Sequence, residues 1–342
     1  MAAHKQRVTD VTERSAPFSV KSKSAIVTGA GSGINFAFAA LLLSKGCNVL
    51  IADLALRPEA QKLLEQYSTG SPRAVFVKTD VTEWTQLERM FDVARREFGS
   101  VDVVCPGAGI CKSYPSSLPS LEMRDKLNRS KPLDDPHWTN FWHPPGSPKS
   151  KDAPNANHYA TLDINITHPC RTTQLAISHF LADAVSPTNP KRVLIISSIA
   201  GQASNLNTPL YVAAKHAMNG FIRSLGPLDE RLGIRVNGVA PGVIKTPLWT
   251  EHPEKLTFLD EAQDEWASPE EVADAMVRCL EEGELGGGTV LEVGAGQTRK
   301  VEQFNDPGPS GKGHTVSNLE RSYEEVFGWV GGKGWGRVKA KL

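Results

Sequence analysis

Tyr211 and Lys215 stand four residues apart in the run YVAAK, whose other members are small. On a helix, positions i and i+4 share one face with Cβ atoms roughly 5–6 Å apart, so phenol and ammonium would point into one volume. A cation beside a phenol favours the phenolate, which makes an acid/base of an otherwise inert hydroxyl. The same spacing also fits a plain amphipathic helix with a half-buried Tyr and a solvated Lys, so the pair must be read with the rest of the chain. A second constellation lies near the start, where residues 28–35 read TGAGSGIN. Glycines in such a turn let the backbone approach a pyrophosphate, and a following helix offers free N–H groups to negative charge. The strict G-x-G-x-x-G spacing fails, because Ile34 holds the third glycine's place. Asp53 comes 20 residues after Gly33. A carboxylate there bonds the adenosine ribose hydroxyls of NAD and repels the 2′-phosphate of NADP. No Arg or Lys follows it immediately. Asp80, before Val81, falls where an adenine amino group could be met.

These residues need elements to hold them. Apolar strand-like runs at 24–30, 48–53, 73–81, 101–109, 192–198, 234–240 and 289–296 alternate with helix-like segments at 35–46, 84–99, 161–182, 209–232 and 269–283. Gly46 and Gly99 are set to end the first two of those helices, and Ser268 with Pro269 to start the last. Such alternation predicts an α/β fold: a doubly wound parallel sheet of Rossmann type with helices on both faces. Runs without apolar/polar alternation read as strands covered on both sides. In such a sheet the glycine turn, Asp53 and Asp80 all lie at carboxyl ends of strands, where ligands bind. The reading is a single domain over residues 21–300, after a tail at 1–20 and before a C-terminal extension at 301–342. A Pro-, Ser-, Lys- and Asp-rich insert at 112–158 carries Trp138, Phe141 and Trp142. Because it follows the fourth strand's turn, it is expected to cover the substrate cleft.

Composition narrows the class. Lys+Arg and Asp+Glu both number 38, so no net field recruits nucleic acid or an anionic membrane. The polar first 20 residues lack the apolar run of a signal peptide. The apolar segment at 36–46 is far shorter than the ~20 residues a bilayer requires. Cys47, Cys105, Cys111, Cys170 and Cys279 form no CxxC pair, and His137, His143 and His158 have no metal-ligand spacing. The expectation is a cytoplasmic protein with reduced thiols and no metal. The terminal Ala340-Lys341-Leu342 is a close variant of the Ser-Lys-Leu peroxisomal address, which leaves the peroxisomal matrix open.

With TGAGSGI, Asp53, Asp80-Val81, Ser198, YVAAK and PGVIKT at 241–246 in this order, the chain resembles the short-chain dehydrogenases/reductases over roughly residues 20–300. VLIISSIAG and YVAAKHAMNGFIRSL look like the NAD-dependent branch typified by 15-hydroxyprostaglandin dehydrogenase, and NFWHPPGSPKS resembles fungal members. The resemblance implies hydride transfer between a secondary alcohol or ketone and NAD, with oxidation the favoured direction. It implies Tyr211 as acid/base, Lys215 as its partner, Ser198 rather than Ser197 as the holder of the reacting oxygen, and Asn165 in the proton relay. It implies cofactor contacts at Gly29, Gly31, Ser32, Gly33, Ile34, Asp53, Asp80, Val81, Tyr211, Lys215, Pro241, Ile244 and Thr246, and a homo-dimer or tetramer. Two departures stand out. The usual last glycine of the cofactor turn is Asn35, and the family's Asn-Asn-Ala-Gly turn reads Pro106-Gly107-Ala108-Gly109. An NADPH-dependent ketoreductase and a silent NAD-sensing protein on the same fold are the competing readings.

Overall fold

The computed structural model describes residues 17–110, 141–147, 150, 152–206, 208–246, 265–303, 324 and 326–328. Its first strands are short apolar runs, three of them ending at a polar residue: β1 Ser24–Thr28, β2 Asn48–Asp53 and β3 Ala74–Lys78, followed by β4 Val103–Cys105. Between them lie α1 Gly33–Ser44, α2 Pro58–Gln66 and α3 Trp84–Phe98. A short helical turn, Ala160–Leu162, and a π-helical turn, Asp163–Thr167, lead into α4 His168–Ala182. Then come β5 Lys191–Ile196, α5 Pro209–Ser224, α6 Leu228–Leu232 and β6 Ile234–Pro241. The described domain closes with α7 Pro269–Glu281, β7 Val290–Gly294 and β8 Gln297–Lys300.

The strands form one sheet in the order β3-β2-β1-β4-β5-β6-β7-β8, parallel through β7. Strand order reverses between β1 and β4, which opens a crevice at the carboxyl ends of the strands. All five residues of β1 and all eight of β6 are buried, as expected of strands covered on both faces. One face packs on α1 and α7, through Phe38, Leu42, Val272 and Met276. The other packs on α3, α4 and α5, through Leu87, Phe91, Phe180 and Met218. At the opposite end of the sheet, Lys191 Nζ donates to buried Asp102 at 2.7 Å, and Asp102 accepts the Ser24 N–H, which ties β1, β4 and β5. Ser268 and Glu271 close a reciprocal capping box at the start of α7, one step beyond the expected cap.

Four differences from the sequence reading have physical causes. Phe18 and Val20, assigned to the tail, are buried in the core, so the domain begins before residue 21. Helix α2 was missed because it is short and polar and buries only Ala60. The expected helix at 209–232 is two, with Ser224 ending α5 and Leu228 starting α6. Antiparallel β8, wholly exposed, has no apolar residue to announce it, and Gly296 at φ +65° turns the chain back onto β7. Residues 112–140 of the insert and the terminal Ala340-Lys341-Leu342 lie outside the described residues. Of the C-terminal extension, Glu324 pairs with Arg231, whose guanidinium sits 4.6 Å from the Phe327 ring, so part of it rests on α6.

Candidate active site

A cavity of about 770 Å³ opens along the carboxyl ends of β1 to β6. Its walls include Gly29, Ser32, Gly33, Ile34, Asp53, Asp80, Val81, Asn165, Ser198, Tyr211, Lys215, Pro241, Ile244 and Thr246. Sequence motifs up to 217 residues apart (Gly29 to Thr246) therefore share one space. Gly31 is the exception, since it stands behind the wall. Its N–H donates to Asp53 Oδ2 at 2.8 Å, and a Cβ there would meet the Ala55 carbonyl at 2.3 Å. It fixes the acidic side chain instead of lining the cavity. Gly29 needs its own glycine, because φ is +72° and a Cβ would fall 2.7 Å from the Ala108 Cα.

At one end of the cavity Asp53 also accepts the Leu54 N–H, while Asp80 Oδ1 accepts from the Thr82 N–H and hydroxyl. The sequence placed no cation directly after Asp53, yet Arg57 lines the same wall four residues on. Overlooking α2 hid it, since Arg57 is the residue from which α2 starts.

At the other end, α5 carries Tyr211 and buried Lys215 on one face, with Lys215 Nζ 5.4 Å from the tyrosine ring centroid. The ammonium donates to the Ile196 carbonyl at 2.8 Å, which anchors it to the end of β5. The two neighbouring serines are told apart by their bonds. Ser197 Oγ donates to Asn219 Oδ1 at 2.6 Å and is held against α5. Ser198 Oγ has only a 3.5 Å contact to the Pro241 carbonyl and accepts the Ala200 N–H, so it is the more available hydroxyl. Gly201 lets this loop lie on α5, since a Cβ there would be 2.7 Å from the Lys215 carbonyl oxygen.

Asn165 sits within the π-helical turn, an irregularity that turns its side chain out of ordinary helical register. Its amide donates to the Ile110 carbonyl at 2.8 Å and accepts the Ile110 N–H at 3.0 Å. The side chain is thereby committed to holding the turn after β4. Gly109 is the shared neighbour, because a Cβ there would lie 3.1 Å from Asn165 Oδ1 and 3.9 Å from Lys215 Nζ.

His168 was not singled out by the sequence, having no motif to mark it. It is buried, with Nδ1 donating to the Ile164 carbonyl, so Nε2 accepts from the Thr28 hydroxyl at 3.1 Å. Thr28 Oγ1 in turn accepts the Ala108 N–H. The chain of bonds pins the turn after β4 to the end of β1. Burial, aided by Lys215, pushes the His168 pKa down to about 4. A folded-state value below the unfolded one means the unfolded chain binds the proton first as pH falls, so stability is full above about 6.5 and lost towards pH 4. Denaturant unfolding should show a loss of about 3 kcal/mol across that window. His168→Asn should flatten the slope, and an unchanged slope would show that His168 is not the titrating group.

The remaining groups are structural. Burial raises the thiol pKa of Cys47, Cys105 and Cys170, and pushes Cys279 up to about 12, which leaves them protonated packing residues. Among the described residues no three His, Cys, Asp or Glu side chains are grouped to hold a metal ion, and no helix is long and apolar enough to cross a membrane. Near the mouth, Trp142 Nε1 donates to the Leu206 carbonyl at 2.7 Å. Leu206 is next to Asn205, which lines the cavity, so this end of the insert reaches its rim.

The profile of the family described as short chain dehydrogenase matches residues 23–129 and 145–257, more than half of the chain. The chain belongs to the short-chain dehydrogenase family. The break in the match, 130–144, falls within the insert. A cis-4-hydroxycyclohexanecarboxylate dehydrogenase of Sinomonas cyclohexanicum is 30% identical over 74% of this chain and 86% of its own length. A cyclohexanol dehydrogenase of Acinetobacter sp. strain SE19 is 26% identical over 76% and 88%. A hydroxynaphthalene reductase-like protein, Arp2, of Metarhizium robertsii is 26% identical over 68% and 72%. As a short-chain dehydrogenase the chain is a hydride-transferring oxidoreductase that works with a nicotinamide cofactor and a small-molecule substrate. The walls fit such a group. Gly33, whose missing Cβ would come no closer than 3.7 Å to Thr246, keeps the wall open at the N-terminus of a 12-residue helix, and Asp53 stands at the far end.

Proposed function

We propose that this dehydrogenase oxidises secondary alcohols, those of saturated rings included, and that it takes NAD in preference to NADP. What carries the reading is the Tyr211–Lys215 pair with Ser198 on one wall of the cavity and Asp53 on another. Bound NAD supplies the acceptor for the hydride that leaves the carbinol carbon. The residues do the rest. Tyr211, favoured as phenolate by the Lys215 ammonium, takes the hydroxyl proton, and Ser198 donates a hydrogen bond that holds the substrate oxygen. Lys215, fixed by the Ile196 carbonyl, holds a ribose hydroxyl of the cofactor. Asn165 is a positioning residue, since its amide holds Ile110. Asp53, held by Gly31, bonds the adenosine ribose. Ile110 and Ile199 give the substrate end an apolar wall, which suits a ring alcohol. Two of the relatives named above are dehydrogenases of cyclohexane-ring alcohols, in keeping with that.

The test is formation of reduced cofactor by the purified protein against cyclohexanol, 4-hydroxycyclohexanecarboxylate and open-chain secondary alcohols, each with NAD and with NADP. Ring alcohols with NAD should give the highest kcat/KM. Arg57 beside Asp53 favours one second reading, a ketone reductase using NADPH. Faster turnover of ketones with NADPH than of any alcohol with NAD would select it.

A further inference from the structure

The two departures from the family pattern meet in space. Asn35 replaces the last glycine of the cofactor turn, and Gly107 stands in the turn after β4 where the family has an asparagine. The Asn35 amide lies flat on Gly107: a Cβ built there falls 2.3 Å from Oδ1, 2.7 Å from Cγ and 2.8 Å from Nδ2. Only glycine fits at 107 while Asn35 is in place. The two departures are therefore complementary in this chain, the Asn35 side chain occupying the space a side chain at 107 would need.

Packing alone does not account for an amide there. Asn35 is 8% exposed, its Oδ1 is buried without a hydrogen-bond partner, and the residue lines the cavity. A buried acceptor left unpaired is unfavourable, so the other end of the amide must offset that cost. It stands in the first turn of α1, where free N–H groups and the glycine turn favour an anion. With Oδ1 sealed against Gly107, the amide N–H groups are what the side chain can offer to that anion.

We infer that Asn35 is a cofactor-contacting residue, donating from its carboxamide to the pyrophosphate of the dinucleotide, and that Gly107 is the position that makes room for it. The inference rests on the dinucleotide reading above. It adds a side-chain donor to a turn that otherwise relies on backbone N–H groups, and it makes residues 35 and 107 a coupled pair.

Two measurements test it, one of them without ligand. In thermal unfolding of the ligand-free protein, Gly107→Ala should lower Tm by about 5 °C or more, and adding Asn35→Gly should restore most of it. In titrations with NADH, Asn35→Ala should weaken binding about 10-fold with Tm near that of the unaltered protein. Asn35→Asp keeps the shape and turns a carboxylate towards the phosphates, so it should weaken binding further. NADH bound equally well by the Ala, Asp and unaltered proteins would overturn the contact. Gly107→Ala as stable as the unaltered protein would overturn the coupling. An unaltered protein that binds no NADH would instead overturn the dinucleotide reading, and this inference with it, while the ligand-free unfolding still decides the coupling.

Discussion

Replacing Tyr211 with Phe should lower turnover on a confirmed alcohol by roughly 10²–10⁴-fold, the range for a positioned acid/base. The change deletes one oxygen and keeps the ring against which the Lys215 ammonium lies, 5.4 Å from its centroid. Lys215 would still donate to the Ile196 carbonyl, and Asp53 would still be held by Gly31, so NADH affinity should stay within about twofold. Lys215→Met should behave differently. It removes the ammonium, leaves the Ile196 carbonyl without that donor, and takes away a cofactor ligand, so both turnover and NADH binding should fall. The split is the diagnostic: one variant loses chemistry alone, the other chemistry and affinity. Near-full activity in Tyr211→Phe would remove the tyrosine from the mechanism. Tight NADH binding with no turnover of any alcohol or ketone by the unaltered protein would favour a silent sensor on the same fold.

The pair was legible because helical periodicity is a local property: Tyr211 and Lys215 need only one helix to share a face. The strands were legible for a related reason. Runs such as SAIVT and NVLIAD are apolar between their polar ends because both faces of the sheet are covered, and those ends carry Thr28 and Asp53 to one edge. What remained hidden depends on contacts between distant segments. His168 has no motif of its own, and its place is set by Thr28, 140 residues away. Arg57 comes to the cofactor wall at the start of α2, a nine-residue helix whose stripe of Ala60, Leu63 and Leu64 is too short to stand out from the surrounding polar residues. The Asn35 and Gly107 departures could be noticed singly, but that they touch is a fact of the β1–β4 crevice. The resemblance already implied Ser198 over Ser197, but the physical reason, the hydrogen bond that binds Ser197 to Asn219, is a contact across 22 residues.

Asp53→Asn should shift cofactor choice towards NADP by roughly 10²-fold in the ratio of kcat/KM values. Two unit charges about 4 Å apart interact by about 4 kcal/mol at the effective dielectric of a protein surface, and partial exposure of this site reduces that to about half or two-thirds. At about 1.4 kcal/mol per tenfold, the remainder corresponds to about 10²-fold. Asparagine is the informative replacement because it removes the charge and keeps an acceptor for the Gly31 N–H, which Asp53 Oδ2 now takes at 2.8 Å. Alanine would also release that turn, and would confound charge with the position of the glycine loop. Arg57 on the same wall raises the expected gain, since a cation there attracts the 2′-phosphate once the charge at residue 53 is removed. Asp53→Asn/Arg57→Ala should therefore keep the loss in NAD use but forfeit part of the gain in NADP use. The measurement is kcat/KM with each cofactor at fixed alcohol, at two ionic strengths, because an electrostatic preference weakens as salt rises. Equal use of NAD and NADP by the unaltered protein would show that Asp53 does not set the choice. A shift in Asp53→Asn that salt leaves unchanged would assign it to hydrogen bonding with the ribose instead of charge.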